Sequence, residues 1–314
     1  MNTKPALSFL AKEKICEYNF ISNGPYWHLC TDGNNVPVLF IDTEDMKFVM
    51  NLIGICSRMI SGIEVLTFEV MNNHIHIILS GEKDKCFELF AMLKSRIRRF
   101  FIRNGRCVDL SGFDCQLIPV TDLNMLRNEI TYTNRNGFLV HPEHTPFSYP
   151  WGAGAYFFNP MASLIPVIPF DSLPVKTKRM ICRSHDLDFD SKGLMVTDNT
   201  IMPFSFCNIK LSEGMFRDAH NYFHLISKNF EAFNENTKRL HESVFLTDEE
   251  LYSAISMLCR KAYGIKQPSL LPAKDKIEIA KRMHYEYNAT NRQIRSILKL
   301  EKHIIDNLFP ATGK

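Results

Sequence analysis

Apolar side chains in the first half of the chain follow two patterns: short buried runs that predict strands, and helically spaced positions that predict amphipathic helices. The predicted strands are residues 26–31, the two parts of 63–79 on either side of Asn72 and Asn73, and 115–120. The predicted helices are residues 43–60, 86–103 and 122–136, the last ended by the Asn136-Gly137 pair. The order strand, helix, two strands, helix, strand, helix favours an α+β fold in which helices cover an antiparallel, ferredoxin-like sheet.

The second half of the chain has mainly helical patterns. Prolines are frequent in residues 142–174 and predict an irregular connector near a domain boundary. Residues 193–206 hold a Thr-Asp-Asn turn between apolar runs, which predicts a hairpin. We therefore predict an α+β domain over residues 21–158, a connector without an assigned role over 159–245, and a helical domain over 246–314.

Three short helices are predicted within residues 271–309: from about residue 273, after a Thr290 cap, and from about residue 301. This spacing is typical of a helix-turn-helix and would make duplex DNA a partner, whereas a trihelical packing module without a DNA role is the alternative. The predicted core residues are Ile277, Ala280, Ile294, Ile297, Leu300, Ile304 and Leu308. The candidate groove-facing residues are Lys302, His303, Asp306 and Asn307.

Composition restricts the function only loosely. The 314 residues are 45% hydrophobic and 23% charged, as in ordinary globular proteins. The formal net charge is only +3, so any nucleic-acid contact must come from a local basic cluster. The nine cysteines form no CxxC pair, and no apolar run suggests a signal peptide or a membrane span. We therefore expect reduced thiols, a cytoplasmic location and no membrane partner.

Two histidines stand two residues apart in the run MNNHIHIILS, which otherwise has the character of a buried strand. Because side chains alternate along a strand, His74 and His76 are expected on one face, and Ile75 and Ile77 on the other. Two imidazoles placed in this way can converge on one divalent ion. A solvent-facing or hydrogen-bonded histidine pair without a metal is the alternative.

The helix predicted over residues 122–136 carries the second chemical feature. Its apolar stripe is formed by Leu123, Leu126 and Ile130, and the opposite side by Glu129, Tyr132 and Asn136. Tyr132 and Asn136 are one turn apart, so a phenol nucleophile and an amide ligand are neighbours if this side meets the histidines. An amphipathic tyrosine at a helix surface is the alternative.

These segments resemble the REP-associated tyrosine transposases, which are single-tyrosine members of the HUH endonuclease superfamily. VMNNHIHIIL is similar to the family's Met-Pro-Asn-His-x-His strand, YTNRNGFLV to its Tyr-x-x-x-Asn-Pro helix end, and TPFSYPW to the segment that follows this helix. The resemblance spans roughly residues 21–158. The chain departs from the pattern at Asn72, where the family has proline, and at Gly137-Phe138, where the family's Pro-x-x-Ala-Gly is shortened. The second departure leaves Asn134 as an alternative to Asn136, which the one-turn spacing favours.

The resemblance implies a transposase that cleaves and rejoins single-stranded, hairpin-bearing DNA through a covalent 5′-phosphotyrosine. It implies that Tyr132 is the nucleophile. It also implies a divalent ion, Mg²⁺ or Mn²⁺, bound by His74, His76 and Asn136. The protein would act as a monomer or a homodimer.

Two other functions stay open on the sequence. One is a DNA-binding regulator derived from a transposase that has lost turnover. The other is a metal-dependent phosphodiester hydrolase that combines His74 and His76 with a carboxylate such as Glu129 or Glu69 and forms no covalent tyrosine.

A basic cluster follows the middle of the helix predicted over residues 86–103. It contains Lys94, Arg96, Arg98, Arg99, Arg103 and Arg106, without an acidic residue between Met92 and Val108. Such a cluster can bind DNA phosphates, and a solvated helix face is the alternative.

Overall fold

The computed structural model describes residues 8–33, 36–140, 148–228, 248–287 and 289–309 of the chain. The chain divides into two compact units, Met1–Asn229 and Phe230–Lys314, and each has its own hydrophobic core. None of the helices among these residues combines the length and the apolar character needed to cross a bilayer.

The first unit is built on a four-stranded antiparallel sheet. Its strands are β1 (Tyr26–Thr31), β2 (Ile63–Val70), β3 (Ile75–Gly81) and β4 (Cys115–Val120), in the order β2-β3-β1-β4. Every neighbouring pair is antiparallel. The predicted strands and the predicted α+β class with an antiparallel sheet are therefore confirmed, and the bend at Asn72 and Asn73 lies between β2 and β3.

Four helices accompany this sheet: α1 (Phe9–Asn23), α2 (Thr43–Met59), α3 (Lys83–Arg103) and α4 (Leu123–Val140). The predictions for α2 and α3 are confirmed, and the Asp42 side chain caps α2 by accepting from the Asp45 N–H. Helix α1 was not predicted, because its apolar residues are scattered around the helix and many are exposed, including Leu10, Tyr18 and Ile21.

The predicted end of α4 at Asn136-Gly137 is wrong, since the helix continues to Val140. A glycine inside a helix costs only about 1 kcal/mol relative to alanine. Side-chain bonds of Glu129, Asn134 and Asn136 to groups on the sheet and α7 (Ala219–Lys228) hold the turns that precede Gly137.

The two faces of the sheet carry different chemistry. In the strand register His76 lies opposite Cys30 on β1 and Glu69 on β2, so these side chains share a face with His28. Helix α4 covers this polar face, because Glu129 contacts His28 and Asn136 contacts His76. The other face is apolar. Helix α3 begins there, with the Lys83 ammonium 5.8 Å from the ring centroid of Trp27, which is paired with Leu79.

Residues that follow the described part of α4 complete the first unit. They form α5 (Val175–Cys182), the strands β5 (Ile168–Pro169), β6 (Met195–Thr197) and β7 (Thr200–Ile201), α6 (Ile209–Glu213) and α7. The predicted hairpin is confirmed as β6 and β7. Apolar side chains of this region, among them Phe170, Ile181 and Tyr222, belong to the same core as the sheet. The predicted limit at residue 245 lies outside the described residues, and both this limit and the one at residue 158 stay predictions.

The second unit is helical. Its described helices are α8 (Asp248–Tyr263), α9 (Ala273–Glu286), α10 (Asn291–Leu298) and α11 (Lys302–Leu308). Thr290 caps α10 in a reciprocal arrangement with Gln293, as the sequence predicts for the cap. Between α10 and α11, Lys299 adopts a left-handed conformation with φ +54°, the position for which glycine is the usual residue.

Two of the predicted core residues of this unit are wrong by a small shift. Ile277 and Ile304 are half-buried, whereas their neighbours Ile279 and Ile305 are buried. Apolar residues one or two positions apart lie on adjoining sides of a helix, so the pattern alone did not decide which of them faces the core.

A partly buried carboxylate connects α1 to α4. The two terminal guanidinium nitrogens of the buried Arg127, Nη1 and Nη2, donate to Glu13 over 2.7 and 3.2 Å. Arg217 donates to the same carboxylate over 3.2 Å. The hydrogen bond from Arg127 lowers the pKa of Glu13 below its ordinary value.

We predict that Glu13→Gln lowers the unfolding free energy at pH 7 by roughly 1.5–3 kcal/mol, the usual contribution of hydrogen bonds to a charged group. Because the folded-state pKa is depressed, this stabilisation is present above the unfolded-state pKa of Glu13 and is lost as the pH falls through the folded-state value. Urea unfolding at pH 7 and near pH 3 should therefore show a difference that narrows in acid. The exposed Glu17 of the same helix, changed to Gln, is the control, and equal stability of the two variants would contradict the assignment.

Candidate active site

A chain of hydrogen bonds crosses from the sheet to α4. The Glu129 carboxylate lies 2.8 Å from Nδ1 of His28, and Nε2 of His28 lies 2.9 Å from Nδ1 of His76. Nε2 of His76 in turn lies 2.9 Å from Nδ2 of Asn136. Glu129, His28 and His76 have no exposed surface, and Asn136 is also buried. Four polar side chains from β1, β3 and α4 thus meet inside the protein.

The direction of these bonds assigns the protons. A carboxylate only accepts, so His28 donates from Nδ1 and, when neutral, accepts at Nε2. His76 then donates from Nδ1 to His28 and holds its lone pair at Nε2, where the Asn136 amide nitrogen donates to it. The pKa of His76 lies well below its ordinary value, because the ring is buried and a positive charge on His28 would repel its own. A neutral imidazole with its lone pair at Nε2 is the form that binds a metal ion.

His74 lies beside this chain at the start of β3. It is half-buried, and its ring centroid is 5.1 Å from that of His76. The Asn73 amide nitrogen donates to the carbonyls of Gly33 and Val36, so its oxygen faces His74 at 2.7 Å and accepts from Nδ1. The lone pair of His74 is thereby also assigned to Nε2.

Tyr132 lies among the same rings. Its ring centroid is 5.6 Å from that of His76 and 6.2 Å from that of His28, and only 3% of its surface is exposed. The structure therefore brings together the four residues that the sequence singled out, namely His74, His76, Tyr132 and Asn136. The roles assigned to them stay predictions.

Asn134, the alternative ligand, belongs to a different contact. It bonds the Thr67 hydroxyl on β2, and its amide nitrogen donates to the Tyr222 hydroxyl of α7 over 2.9 Å. These bonds connect α4 to β2 and α7. Of the two asparagines, Asn136 is the one that faces His76.

The hydrolase alternative requires a carboxylate beside His74 and His76, and neither candidate contacts both histidines in the described hydrogen bonds. Glu129 contacts His28 rather than His76, and Glu69 lies on β2 across from His76 in the strand register. Among the residues that the structure describes, no three His, Cys, Asp or Glu side chains are arranged to hold a metal ion. A mixed set of two imidazoles and an amide is the donor set that this site offers.

His28 was missed by the sequence analysis. It stands in the predicted strand 26–31, but its meeting with His76 depends on the pairing register of β1 with β3, which places His28 opposite Ile78 and diagonal to His76. A polar residue in the middle of a buried strand was the available signal. Glu129 was placed on the correct side of its helix, as a neighbour of Tyr132 and as a possible carboxylate of the hydrolase alternative, but not as the partner of His28.

The predicted basic cluster lies away from this site, because α3 packs on the apolar face of the sheet. Several of its members are engaged within the unit: Lys94 pairs with Asp114, Arg96 contacts the Met59 sulfur, and Arg106 bonds Asp45 and the Leu39 carbonyl. Arg103 donates to the Arg183 carbonyl. Arg98, Arg99 and Arg103 are exposed. In the second unit, the candidate residues Lys302, His303 and Asn307 are exposed as well.

Comparisons with known proteins add little to this geometry. No protein-family model and no curated protein matches the chain. The chain is similar to a solved structure of a REP-associated tyrosine transposase bound to a REP hairpin, with 13% sequence identity and a TM-score of 0.35. The match covers 53% of this chain and 89% of that one. This similarity is distant, so the functional argument depends on the site itself.

We predict that the His76 ring stays neutral, with its proton on Nδ1, when the pH is lowered from 7.5 through its ordinary pKa of about 6.5. Burial disfavours the imidazolium, which gives the protein a base that is not protonated in mild acid. Two-dimensional spectra of protein with ¹⁵N-labelled histidine measure both the charge and the tautomer, and His76→Gln identifies the signal. An imidazolium at pH 6, or a proton on Nε2, would contradict the assigned hydrogen-bond chain.

Proposed function

We propose that the chain is a transposase-like enzyme that cleaves and rejoins single-stranded DNA through a covalent bond to Tyr132. One observation carries the proposal: the buried Tyr132 lies against His76, whose ring neighbours that of His74, and the lone pairs of both imidazoles are assigned to Nε2. The Asn136 amide meets His76 at that nitrogen. This combination of an aromatic nucleophile with neutral nitrogen and amide donors suits metal-assisted phosphoryl transfer.

The topology supports a ferredoxin-like sheet as the scaffold. The connection β1-α2-β2-β3-α3-β4 with the strand order β2-β3-β1-β4 is the arrangement of the split βαβ motif. In this arrangement the two central strands, β1 and β3, carry His28 and His76. Helix α4 is an addition that brings Tyr132 to the same face.

The side chains present fit a divalent ion, and a set of two imidazole nitrogens and one amide oxygen suits Mn²⁺ better than Mg²⁺, which prefers oxygen ligands. His74 and His76 would hold it through Nε2, and Asn136 through its amide oxygen once the amide group is turned toward the ion. Such an ion would neutralise charge on the scissile phosphate and orient it for attack. The buried Glu129–His28 pair would act as the outer support that fixes the tautomer and orientation of His76.

The reaction of the chain's own residues is a transesterification. The Tyr132 oxygen loses its proton and forms a bond to phosphorus, giving a 5′-phosphotyrosine, while the 3′ oxygen of the DNA leaves and takes up a proton. A 3′ hydroxyl of another strand can reverse this step, which rejoins the DNA. Because Tyr132 is 3% exposed, a phosphodiester reaches it only after side chains at this end of the sheet rearrange.

In this proposal, the second unit binds duplex DNA as a helix-turn-helix. Helices α9, α10 and α11 pack around one core, and Lys302, His303 and Asn307 are exposed on the last helix. The acidic Asp306 is exposed on the same helix, so groove contact there would be limited to a few side chains.

The first test is formation of the covalent adduct. We predict that the protein, with Mg²⁺ or Mn²⁺ and hairpin-bearing single-stranded DNA, gives a protein–DNA adduct on a denaturing gel, and that Tyr132→Phe abolishes it because the phenol oxygen is the nucleophile. EDTA and His76→Ala should also abolish it, since both remove the bound ion. Tyr149→Phe is the matched control, a nearby buried tyrosine whose hydroxyl donates to the Val70 carbonyl.

Three results would separate the alternatives. An adduct that persists in Tyr132→Phe would overturn the nucleophile assignment. DNA cleavage without any adduct would favour a hydrolase. DNA binding with neither an adduct nor cleavage would favour the third alternative, a DNA-binding regulator that has lost turnover.

The second test concerns the helical unit. We predict that Lys302→Ala combined with His303→Ala weakens binding to a DNA duplex roughly 30-fold, since two lost contacts of about 1 kcal/mol each sum to about 2 kcal/mol. Fluorescence anisotropy measures the affinity. Lys261→Ala combined with Lys266→Ala, two exposed positions of the same unit, is the control. Unchanged affinity of the first variant would leave a packing module without a DNA role.

A further inference from the structure

We propose that a surface formed by α3 and α5 binds the phosphate backbone of duplex DNA, on the side of the sheet away from Tyr132. This inference depends on the proposed function for its partner, because it assigns a second DNA contact to the same protein. We call this surface the arginine face. It contains Arg96, Arg99, Arg103, Lys176, Arg179 and Arg183.

The cations of the arginine face line two adjoining crevices. The first is lined by four arginines around Phe48, Phe100 and Cys182, and the second continues past Arg103 and Arg183 to Lys176, Arg179 and His185. No carboxylate is among the described residues that line either crevice. Since the whole chain has a formal net charge of only +3, six cations on one surface are a strong local excess.

The helices that present these cations are held firmly together. Phe48 and Phe100 stack with their ring centroids 4.0 Å apart beneath the first crevice. Arg103 donates from Nη1 to the backbone carbonyl of Arg183 over 2.7 Å, which ties the last turn of α3 to the end of α5. The cations therefore belong to one preformed surface rather than to two independent helices.

Arg183 occupies a position that its backbone does not favour. It ends α5 with φ +46°, in the left-handed region where glycine meets the least resistance. Here the chain has an arginine, whose exposed side chain joins the two crevices. Its contact with Glu44, at 3.3 Å between two exposed groups, is screened by solvent and leaves the surface basic.

The chemistry of the surface favours duplex over single-stranded DNA. Its two phenylalanines, Phe48 and Phe100, are buried, so among the described residues that line the crevices only the single exposed ring of His185 could stack on an unpaired base. Duplex DNA carries about one negative charge per 1.7 Å of its axis, a charge density that suits a rigid group of six cations. Because the sheet lies between this surface and Tyr132, the DNA bound here is a duplex arm and not the strand at the tyrosine.

The experiment measures binding of the full chain to a blunt, mixed-sequence DNA duplex by fluorescence anisotropy over a series of salt concentrations. Combined replacement of Arg99, Lys176 and Arg179 by Ala should weaken binding at least roughly tenfold. It should also reduce the slope of log K against log salt by about 2.7, since each lost phosphate contact contributes about 0.9. These exposed side chains avoid the internal contacts of Arg96 and Arg103, and thermal unfolding checks that the variant is folded.

The matched control replaces three exposed lysines outside both crevices, Lys14, Lys192 and Lys210, by Ala. It removes the same charge and should leave the affinity within about twofold and the slope within about one. Equal losses in the two triple variants, or none in the first, would overturn the arginine face. If the first triple variant unfolds, Lys176→Gln combined with Arg179→Gln is tested in the same assay. The slope of log K against log salt should then decrease by about 1.8.

Two further experiments test whether DNA is the partner and whether this surface depends on the proposed strand transfer. An RNA duplex of the same sequence that binds more tightly, with the same dependence on the arginine face, would overturn DNA as the partner. Tyr132→Phe protein should bind the duplex as the unaltered protein does. If no adduct forms but duplex binding still depends on the arginine face, the proposed strand transfer is overturned. The proposal for this surface then stands.

Discussion

The contact between Glu129 and His28 fixes the position of α4 on the sheet. Both side chains are fully buried, and leaving one of them without its hydrogen-bond partner typically costs about 1–3 kcal/mol, and more where it is charged. The helix therefore cannot slide or rotate without breaking this contact. Tyr132 and Asn136 follow Glu129 by three and seven residues, so both lie on the same side of α4 and meet His76 as a consequence.

Much of this arrangement could be predicted because it depends on local periodicity. Strand alternation separated His76 from Ile75 and Ile77, and helical spacing placed Glu129 and Tyr132 on one side of α4. The α+β class with an antiparallel sheet also follows from the order of the elements along the chain.

What could not be predicted depends on tertiary contacts. The partner of His76 is set by the register between β1 and β3, and the local sequence pattern does not determine that register. Helix α1 is tied to the unit through the ion pair of Glu13 with Arg127 and lacks a clear apolar stripe. The end of α4 was misjudged for a local reason, because one glycine inside a helix is a weak stop signal and the helix continues past Gly137.

The sheet separates two electrostatic environments, the buried neutral groups around Tyr132 and the exposed cations of the arginine face. Around Tyr132 the groups are buried and the imidazole of His76 is neutral, which suits donors that must coordinate a cation rather than repel it. The arginine face is exposed, positively charged and carried by α3 and α5 on the opposite side. Guanidinium groups beside His74 and His76 would disfavour a divalent ion through like-charge repulsion. Under the proposed function, keeping the cations behind an apolar layer of the sheet would let one unit attract a polyanion without weakening the site proposed to hold a metal ion.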